Sequence, residues 1–376
     1  MKKIVVLGSG IVGSAIAKDL CKEYKVTSVD VDKTRLDKIK TEYPIDCLKA
    51  DLSKKEKIIS IIQDYDLVIN ALPGYMGFET MKTVIENKKD TVDIAFYNED
   101  PFELDSLAKK NQVTAVMDCG VAPGMSNMIL GYHNEMMTVE SFECLVGGLP
   151  LKREWPYEYK APFSPIDVLE EYIRPARMVE NGEVVTKPAL SDPELIDFDA
   201  VGTLESFNTD GLRTLIHTMD IPEMKEKTLR YPGHIELMRI FRESGFFSKK
   251  PLKVNNTEIS PVEFISKLLF PLWKYDEHEE EFTIMRIVIK GLHNGKNTVV
   301  TYNLYDRFNK ETNISSMART TGYPCCATAR LILNGVFDKK GVSPPEIVGA
   351  DKECFHNIID YLEKRDIKFV NETQSE

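Results

Sequence analysis

Apolar positions follow two rhythms along this chain. From residue 1 to about residue 130, short apolar runs alternate with stretches in which apolar residues recur every three or four positions. The runs predict strands at Lys3–Leu7, Lys25–Val29, Asp46–Lys49, Leu67–Ala71, Thr91–Ile94 and Val113–Met117. The intervening periodicity predicts helices at Ile11–Glu23, Lys33–Glu42, Lys54–Gln63, Gly77–Asn87 and Pro101–Lys110. Six strands joined by helical crossovers make a parallel, doubly wound sheet. The rhythm changes after Gly124-Met125-Ser126. From about Ser141 to Thr312 the strands lengthen and turn polar on one side. Glu281–Lys290 and Asn297–Tyr305 form a predicted hairpin through Asn294-Gly295. The expectation is an α+β domain on a mostly antiparallel sheet, with Trp155–Phe163 and Val185–Asp199 as cleft-lining loops. Beyond Met317 the pattern is helical again at Tyr323–Leu333 and Lys352–Lys364, with Met317–Gly335 expected to pack on the first domain. The end, Glu372–Glu376, is expected to fray.

These patterns divide the chain into residues 1–124, rejoined by helices over about 317–376, and an α+β substrate and dimerisation domain over 125–316. A chain of 376 residues buries a full core in each part.

A formal net charge of −11 argues against a nucleic-acid binder and gives no support for docking on anionic lipid. No apolar run reaches membrane-spanning length, and the first one is broken by Gly8, Ser9 and Gly10, too early for a signal-peptide core. The seven cysteines include no Cys-x-x-Cys pair and the six histidines show no ligand spacing. Reduced thiols, no metal and a cytoplasmic location are expected.

The first strand runs straight into Gly8-Ser9-Gly10-Ile11-Val12-Gly13, which opens a helix. In that context the glycines read as a dinucleotide fingerprint. Gly8 permits the tight turn, Gly10 lets backbone approach a pyrophosphate, and Gly13 lets helix pack on strand. The N–H groups of the helix start then face the phosphates. This is the Rossmann arrangement. Asp30 ends the second strand, where a carboxylate accepts hydrogen bonds from the ribose hydroxyls and repels a 2′-phosphate, so NAD is favoured over NADP. Lys33 and Arg35 lie close by as groups that would accommodate that phosphate. Asp51-Leu52 follows the third strand. There Asp51 either reaches the adenine or belongs to a helix start capped by Ser53. Asn70-Ala71-Leu72-Pro73-Gly74 follows the fourth strand, and the small residues Ala71, Leu72 and Pro73 read as a cofactor-lining turn.

Several segments are similar, in order, to one family. They are the fingerprint, Asn70–Gly74, Asp118-Cys119-Gly120-Val121-Ala122-Pro123-Gly124-Met125-Ser126-Asn127 and Phe163-Ser164-Pro165. Downstream come Phe207-Asn208-Thr209-Asp210-Gly211-Leu212-Arg213, Thr228-Leu229-Arg230-Tyr231-Pro232-Gly233-His234 and Thr320-Thr321-Gly322-Tyr323-Pro324. Over nearly its whole length the chain resembles the saccharopine dehydrogenase-like family, and within it the lysine 6-dehydrogenase branch. The resemblance implies a substrate domain inserted before a helix that rejoins the Rossmann domain, and a homodimer. It also implies hydride transfer between a nicotinamide and an amine-bearing or imine carbon. In the lysine branch a side-chain amine becomes an imine, and water releases aldehyde and ammonia.

Such chemistry needs a deprotonated amine, a carboxylate clamp and activated water. Asp118 and Cys119 end the sixth strand. Asp118 either holds a substrate ammonium or faces the helix start that follows; Cys119 either takes part or packs. Arg213 and Arg230 are candidates for bidentate pairing with a substrate carboxylate, or for structural ion pairs. The resemblance places the Arg213 segment facing the cofactor. His234 is a candidate acid/base group or a structural ring. Tyr97, Asn208 and Asp210 are further candidates, Asp210 alternatively capping a helix at Gly211. The leading expectation is an NAD-dependent oxidative deaminase of lysine or a similar amino acid or amine. The alternatives are saccharopine- or carboxyspermidine-type enzymes and a non-catalytic NAD-sensing regulator.

Overall fold

A computed structural model of the protein describes residues 1–276 and 278–375. The chain forms two compact units, Met1–Met137 with Met317–Lys368, and Thr138–Ser316 with Phe369–Glu376.

In the first unit the strands are β1 (Lys3–Leu7), β2 (Lys25–Asp30), β3 (Asp46–Lys49), β4 (Leu67–Asn70), β5 (Asp90–Asp93) and β6 (Thr114–Val116). The crossover helices are α1 (Ile11–Leu20), α2 (Lys33–Glu42), α3 (Lys55–Ile62), α4 (Gly74–Glu86) and α5 (Asp105–Asn111), and α6 (Met125–Asn134) follows the sixth strand. All strand pairs are parallel, in the order β17-β6-β5-β4-β1-β2-β3 with β17 at Gly341–Ser343. Ile4, Val5, Val6 and Leu7 are wholly buried. Unbroken apolar runs of this kind suit a sheet covered on both faces. The order steps outward both ways from β1 and β4, and the crevice at their carboxyl ends is the ligand position in such sheets.

The sheet has seven strands where six were expected. Three residues carry no period, so β17 left no trace in the sequence pattern. The helix expected over Pro101–Lys110 opens instead as a 3-10 turn, Pro101–Leu104, capped by Asp100. The chain returns through α11 (Ser316–Leu333), α12 (Pro345–Ala350) and α13 (Lys352–Glu363). α11 packs on the first unit, where Gly322 lies against Ile16 and Val12 of α1. α6, expected to open the second domain, belongs to the first unit, where a Cβ at Gly131 would overlap the Glu346 carbonyl of α12.

The second unit holds β7 (Thr138–Pro150), β8 (Ala176–Glu180), β9 (Glu183–Lys187), β10 (Glu194–Phe198), β11 (Gly202–Asn208), β12 (Glu223–Arg230), β15 (Glu281–His293), β16 (Lys296–Arg307) and β18 (Phe369–Ser375) in one sheet. Only β12 with β7 runs parallel among its described pairs. A small hairpin, β13 (Leu252–Val254) and β14 (Thr257–Ile259), stands apart. Asn294 (φ 52°) and Gly295 (φ 77°) turn β15 into β16, as a two-residue loop with both φ positive requires. The segment Val185–Asp199, expected as a loop, contains the end of β9 and all of β10. Its alternation is irregular because β10 is largely exposed. The helices are α7 (Pro165–Ile173), α8 (Leu215–Thr218), α9 (His234–Glu243) and α10 (Pro261–Leu272). Val168, Leu169, Ile235, Met238, Ile265, Leu269 and Trp273 bury into one core with Phe207, Leu229 and Phe282 of the sheet. The tail is not frayed: β18 pairs with β16 from Leu304↔Phe369 to Thr298↔Ser375, and Glu376 lies outside the described residues. Among the described residues no helix is long and apolar enough to cross a membrane.

Candidate dinucleotide and substrate sites

The turn after β1 is shaped by what side chains would collide with. Gly8 has φ 103°, and a Cβ there would overlap the Ala71 carbonyl at the end of β4. A Cβ on Gly13 would overlap the Gly8 carbonyl. At Gly10 the opposite holds, since a Cβ would meet nothing within 4 Å. Gly10 is the N-cap of α1, and no side chain bonds to that helix start. The positive end of a helix thus opens on a space that only a side chain at Gly10 would fill, a shape that suits a pyrophosphate. Ile11 is half-exposed at the mouth, Val12 is partly covered, and Ser9 is buried with its hydroxyl 2.6 Å from Ser28 Oγ.

Asp30 is fixed at this turn. Its Oδ2 accepts from the Ser9 N–H at 2.7 Å and its Oδ1 from the Asp32 N–H at 2.8 Å. Each oxygen keeps a further lone pair for a ribose hydroxyl. Lys33 is paired with Asp37 at 2.7 Å and Arg35 with Asp32 at 3.4 Å. Beyond β4, Ala71 N–H donates to Leu7 O at 2.8 Å, Leu72 N–H to Asn70 Oδ1 at 3.4 Å, and Pro73 caps α4. These residues fit a bound dinucleotide. Asp51 is exposed, and hydrogen bonds from Ser53 hold its carboxyl below its ordinary range. Ser53 is not a helix cap, for α3 starts after Lys54 with no side-chain cap. Leu52 is buried in the core beside it.

Three groups meet at the carboxyl ends of β5 and β6. Asp93 ends β5, is fully buried, and accepts from the Ala95 N–H at 3.1 Å. Asp118 follows β6 with φ 52° and is also buried. The Cys119 N–H reaches Asp93 O at 2.9 Å, and its thiol donates to Thr328 Oγ1 of α11 at 3.2 Å. Burial pushes that thiol up to about 12, with Asp93 and Asp118 adding to the shift against the Thr328 bond, so it stays protonated at neutral pH. Asp93 escaped the sequence reading because it lay inside an expected strand. Its signal was its place as the last residue before a loop on the ligand edge. Tyr97 lies in the core, edge-on to Phe78 at 5.8 Å, with its hydroxyl 3.7 Å from Met117 Sδ.

The second unit gathers three of its arginines around one loop. Asp210 accepts from Arg177 through its backbone N–H at 3.2 Å, Nε at 2.8 Å and Nη2 at 3.0 Å. Asp210 caps no helix, because α8 begins only at Leu215, after Thr214. Arg213 is buried with φ 53°, left-handed backbone that non-glycine residues rarely adopt. Burial and then the charge of Arg213 lower the pKa of Arg174, which puts the two guanidiniums within electrostatic reach. Asn208 donates to Ser191 Oγ at 3.0 Å and Asp192 Oδ2 at 2.9 Å. Arg174, at the end of α7, and Arg177, in β8, went unread because neither element gives a local sign that it borders this loop.

Arg230 and His234 lie deeper. Arg230 is buried with Nη2 2.6 Å from Glu171, Nε 3.1 Å from Tyr172 Oη, and its guanidinium 4.4 Å over the Tyr159 ring. His234 shares a 3.0 Å hydrogen bond with Tyr172 Oη and a 2.9 Å one with the Tyr157 carbonyl. Burial, then Arg230, drives its pKa down to about 3. Among the described residues no group of three or more His, Cys, Asp or Glu side chains could hold a metal ion.

A parallel sheet with an uncapped glycine helix start at its switch point and a carboxylate ending β2 defines a dinucleotide-binding protein. The profile "Saccharopine dehydrogenase NADP binding domain" matches residues 4–116, and "Saccharopine dehydrogenase C-terminal domain" matches residues 120–367. The chain belongs to the saccharopine dehydrogenase family. It is 23% identical over 445 aligned residues to mouse mitochondrial alpha-aminoadipic semialdehyde synthase, covering 98% of this chain and 47% of that one. It thus spans about half the length of that relative. It is 22% identical to the Schizosaccharomyces pombe saccharopine dehydrogenase [NADP(+), L-glutamate-forming], covering 99% of each. In structure it matches apo saccharopine dehydrogenase (L-Glu forming) from Saccharomyces cerevisiae with a TM-score of 0.81, 18% identity and full coverage of both chains.

Proposed function

We propose that the chain is a nicotinamide-dependent amino-acid dehydrogenase that oxidises the side-chain amine of lysine. The observation that carries the dinucleotide half is the uncapped start of α1 at Gly10, with Asp30 fixed beside it. A bound nicotinamide would accept a hydride from the carbon that bears the amine. As that C–H bond breaks, the nitrogen lone pair forms the C=N bond and a proton leaves nitrogen. Water then adds to the imine and ammonia departs, leaving an aldehyde. Arg213 anchors the substrate α-carboxylate through its planar fork. Asn208 and Asp210 support the Arg213 loop. Cys119, Tyr97, Arg230 and His234 serve packing, since each is buried with its polar atoms engaged inside the fold.

A second reading, a saccharopine- or carboxyspermidine-type enzyme, is favoured by Arg174 and Arg177 lying near Arg213, which suits a substrate with more than one carboxylate. The names of the relatives point the same way. Those names carry NADP, whereas Asp30 supports NAD because its fixed charge opposes a 2′-phosphate. We take the protein to be a cytoplasmic homodimer; its seven free cysteines support a reducing compartment.

The test is reduced-cofactor formation with lysine, saccharopine and carboxyspermidine under NAD and NADP. Lysine with NAD should give the highest kcat/KM, and Asp30→Ala should narrow the cofactor preference. Turnover of saccharopine with NADP and not lysine would establish the second reading. NAD binding without turnover of any of these would mark a regulator.

A further inference from the structure

α10 is apolar on both sides. Its inner face, Ile265 and Leu269, is buried in the core of the second unit. Its outer face carries Phe264, Leu268 and Leu272 at four-residue spacing, each at least half exposed (51%, 51% and 57%). Ile166 of α7, 39% exposed, borders the groove along the same helix. A contiguous exposed apolar stripe on a helix whose opposite face is already buried marks an interaction surface.

The charges beside the stripe say what covers it. Glu263 and Lys267 are exposed on its flank, one turn apart. When two copies of α10 lie antiparallel about a two-fold axis, residues on one flank of each helix meet the same flank of the other. The register that sets Phe264 on the partner's Leu268 also brings Glu263 within two residues of the partner's Lys267, about 3 Å along the axis at a rise of roughly 1.5 Å per residue. Both acid–base pairs then form together. A parallel two-fold pairing would instead carry the two flanks to opposite sides of the seam, where Glu263 and Lys267 of one copy meet neither group of the other. An isologous contact of this kind requires self-complementarity, and the segment has it in both shape and charge.

We propose that the Glu263–Leu272 face of α10 is a homodimer interface, with Phe264 and Leu268 at its centre and Glu263–Lys267 pairs on its flank; this rests on the reading of the chain as a homodimer. Because Leu268 is exposed, Leu268→Glu leaves the fold of the protomer intact while placing two carboxylates at the two-fold axis.

Sedimentation velocity on the full-length chain tests the proposal. The unaltered protein should sediment as a dimer, and Leu268→Glu as a monomer with an unchanged circular dichroism spectrum. Lys267→Glu alone should weaken the dimer by roughly tenfold or more, since it turns both pairs into like-charge contacts. Adding Glu263→Lys to it should restore the affinity, a recovery that general loss of stability would not produce. A monomeric unaltered protein would overturn the homodimer reading itself. A dimer unaffected by Leu268→Glu and by Lys267→Glu would overturn this surface alone.

Discussion

His234 shows how burial changes the titration of a residue type that ordinarily ionises near neutrality. Its ring is 2% exposed, both nitrogens are hydrogen-bonded, and its pKa is driven down to about 3 from an ordinary 6.5. The unfolded chain therefore takes up a proton that the folded one refuses. Stability from this site is fully present above pH 6.5 and is lost as the pH falls toward 3. Each pH unit below about 6.5 should cost roughly 1.4 kcal/mol of unfolding free energy. Urea unfolding of the protein and of His234→Gln at pH 7.0 and 5.0 checks this, and the variant should lack about 2 kcal/mol of the acid-induced loss. Equal losses in the two proteins would place the pH sensitivity elsewhere. The sequence showed that a histidine followed Tyr231-Pro232-Gly233, but not that Tyr172, sixty-two residues earlier, would take its ring nitrogen. The glycine fingerprint differs because its meaning is local. Strand, turn and helix start are contiguous, so Gly8, Gly10 and Gly13 were legible in full.

At the scale of elements, the well-read parts are those whose period spans several turns or strand residues, such as β1, α2 and the β15–β16 hairpin. The parts that escaped are short or depend on distant partners. β17 has three residues and exists because β6 offers it an edge. The crossing of α6 and α12 depends on two glycines more than two hundred positions apart in the chain. A Cβ at Gly131 would overlap the Glu346 carbonyl, and one at Gly349 the Met128 carbonyl, so each helix passes over bare backbone of the other. Asn127 adds a hydrogen bond to Glu346 at 3.1 Å across the same crossing. Gly349→Ala should destabilise the protein by about 1–3 kcal/mol through forced separation of the helices, although alanine is the better helix former. Thermal unfolding measures this. A neutral or stabilising effect would show that the crossing yields at no cost.

Over the whole molecule, the chain enters the second unit twice, once through Thr138–Ser316 and again through the closing strand β18. The sequence reading joined everything after Met317 to the first unit because the helices there carry a clear period. The seven residues of β18 are mostly exposed and polar, a composition that reads as a tail. What makes them a strand is the free edge of β16, which no local pattern reveals. Their hydrogen bonds cover that edge, and an uncovered edge strand invites pairing with other chains. Removal of residues 369–376 should therefore act on the second unit and leave the glycine turn of the first intact. The truncated protein should bind NAD with an affinity within about twofold of the full chain, because every contact described at Gly8–Gly13 and Asp30 lies in the first unit. It should also lose stability and gain concentration-dependent aggregation, through exposure of Thr298–Leu304. Isothermal titration with NAD and light scattering across a dilution series read the two effects separately. Loss of NAD binding in a soluble truncated protein would show that β18 supports the first unit, against the division of contacts seen here.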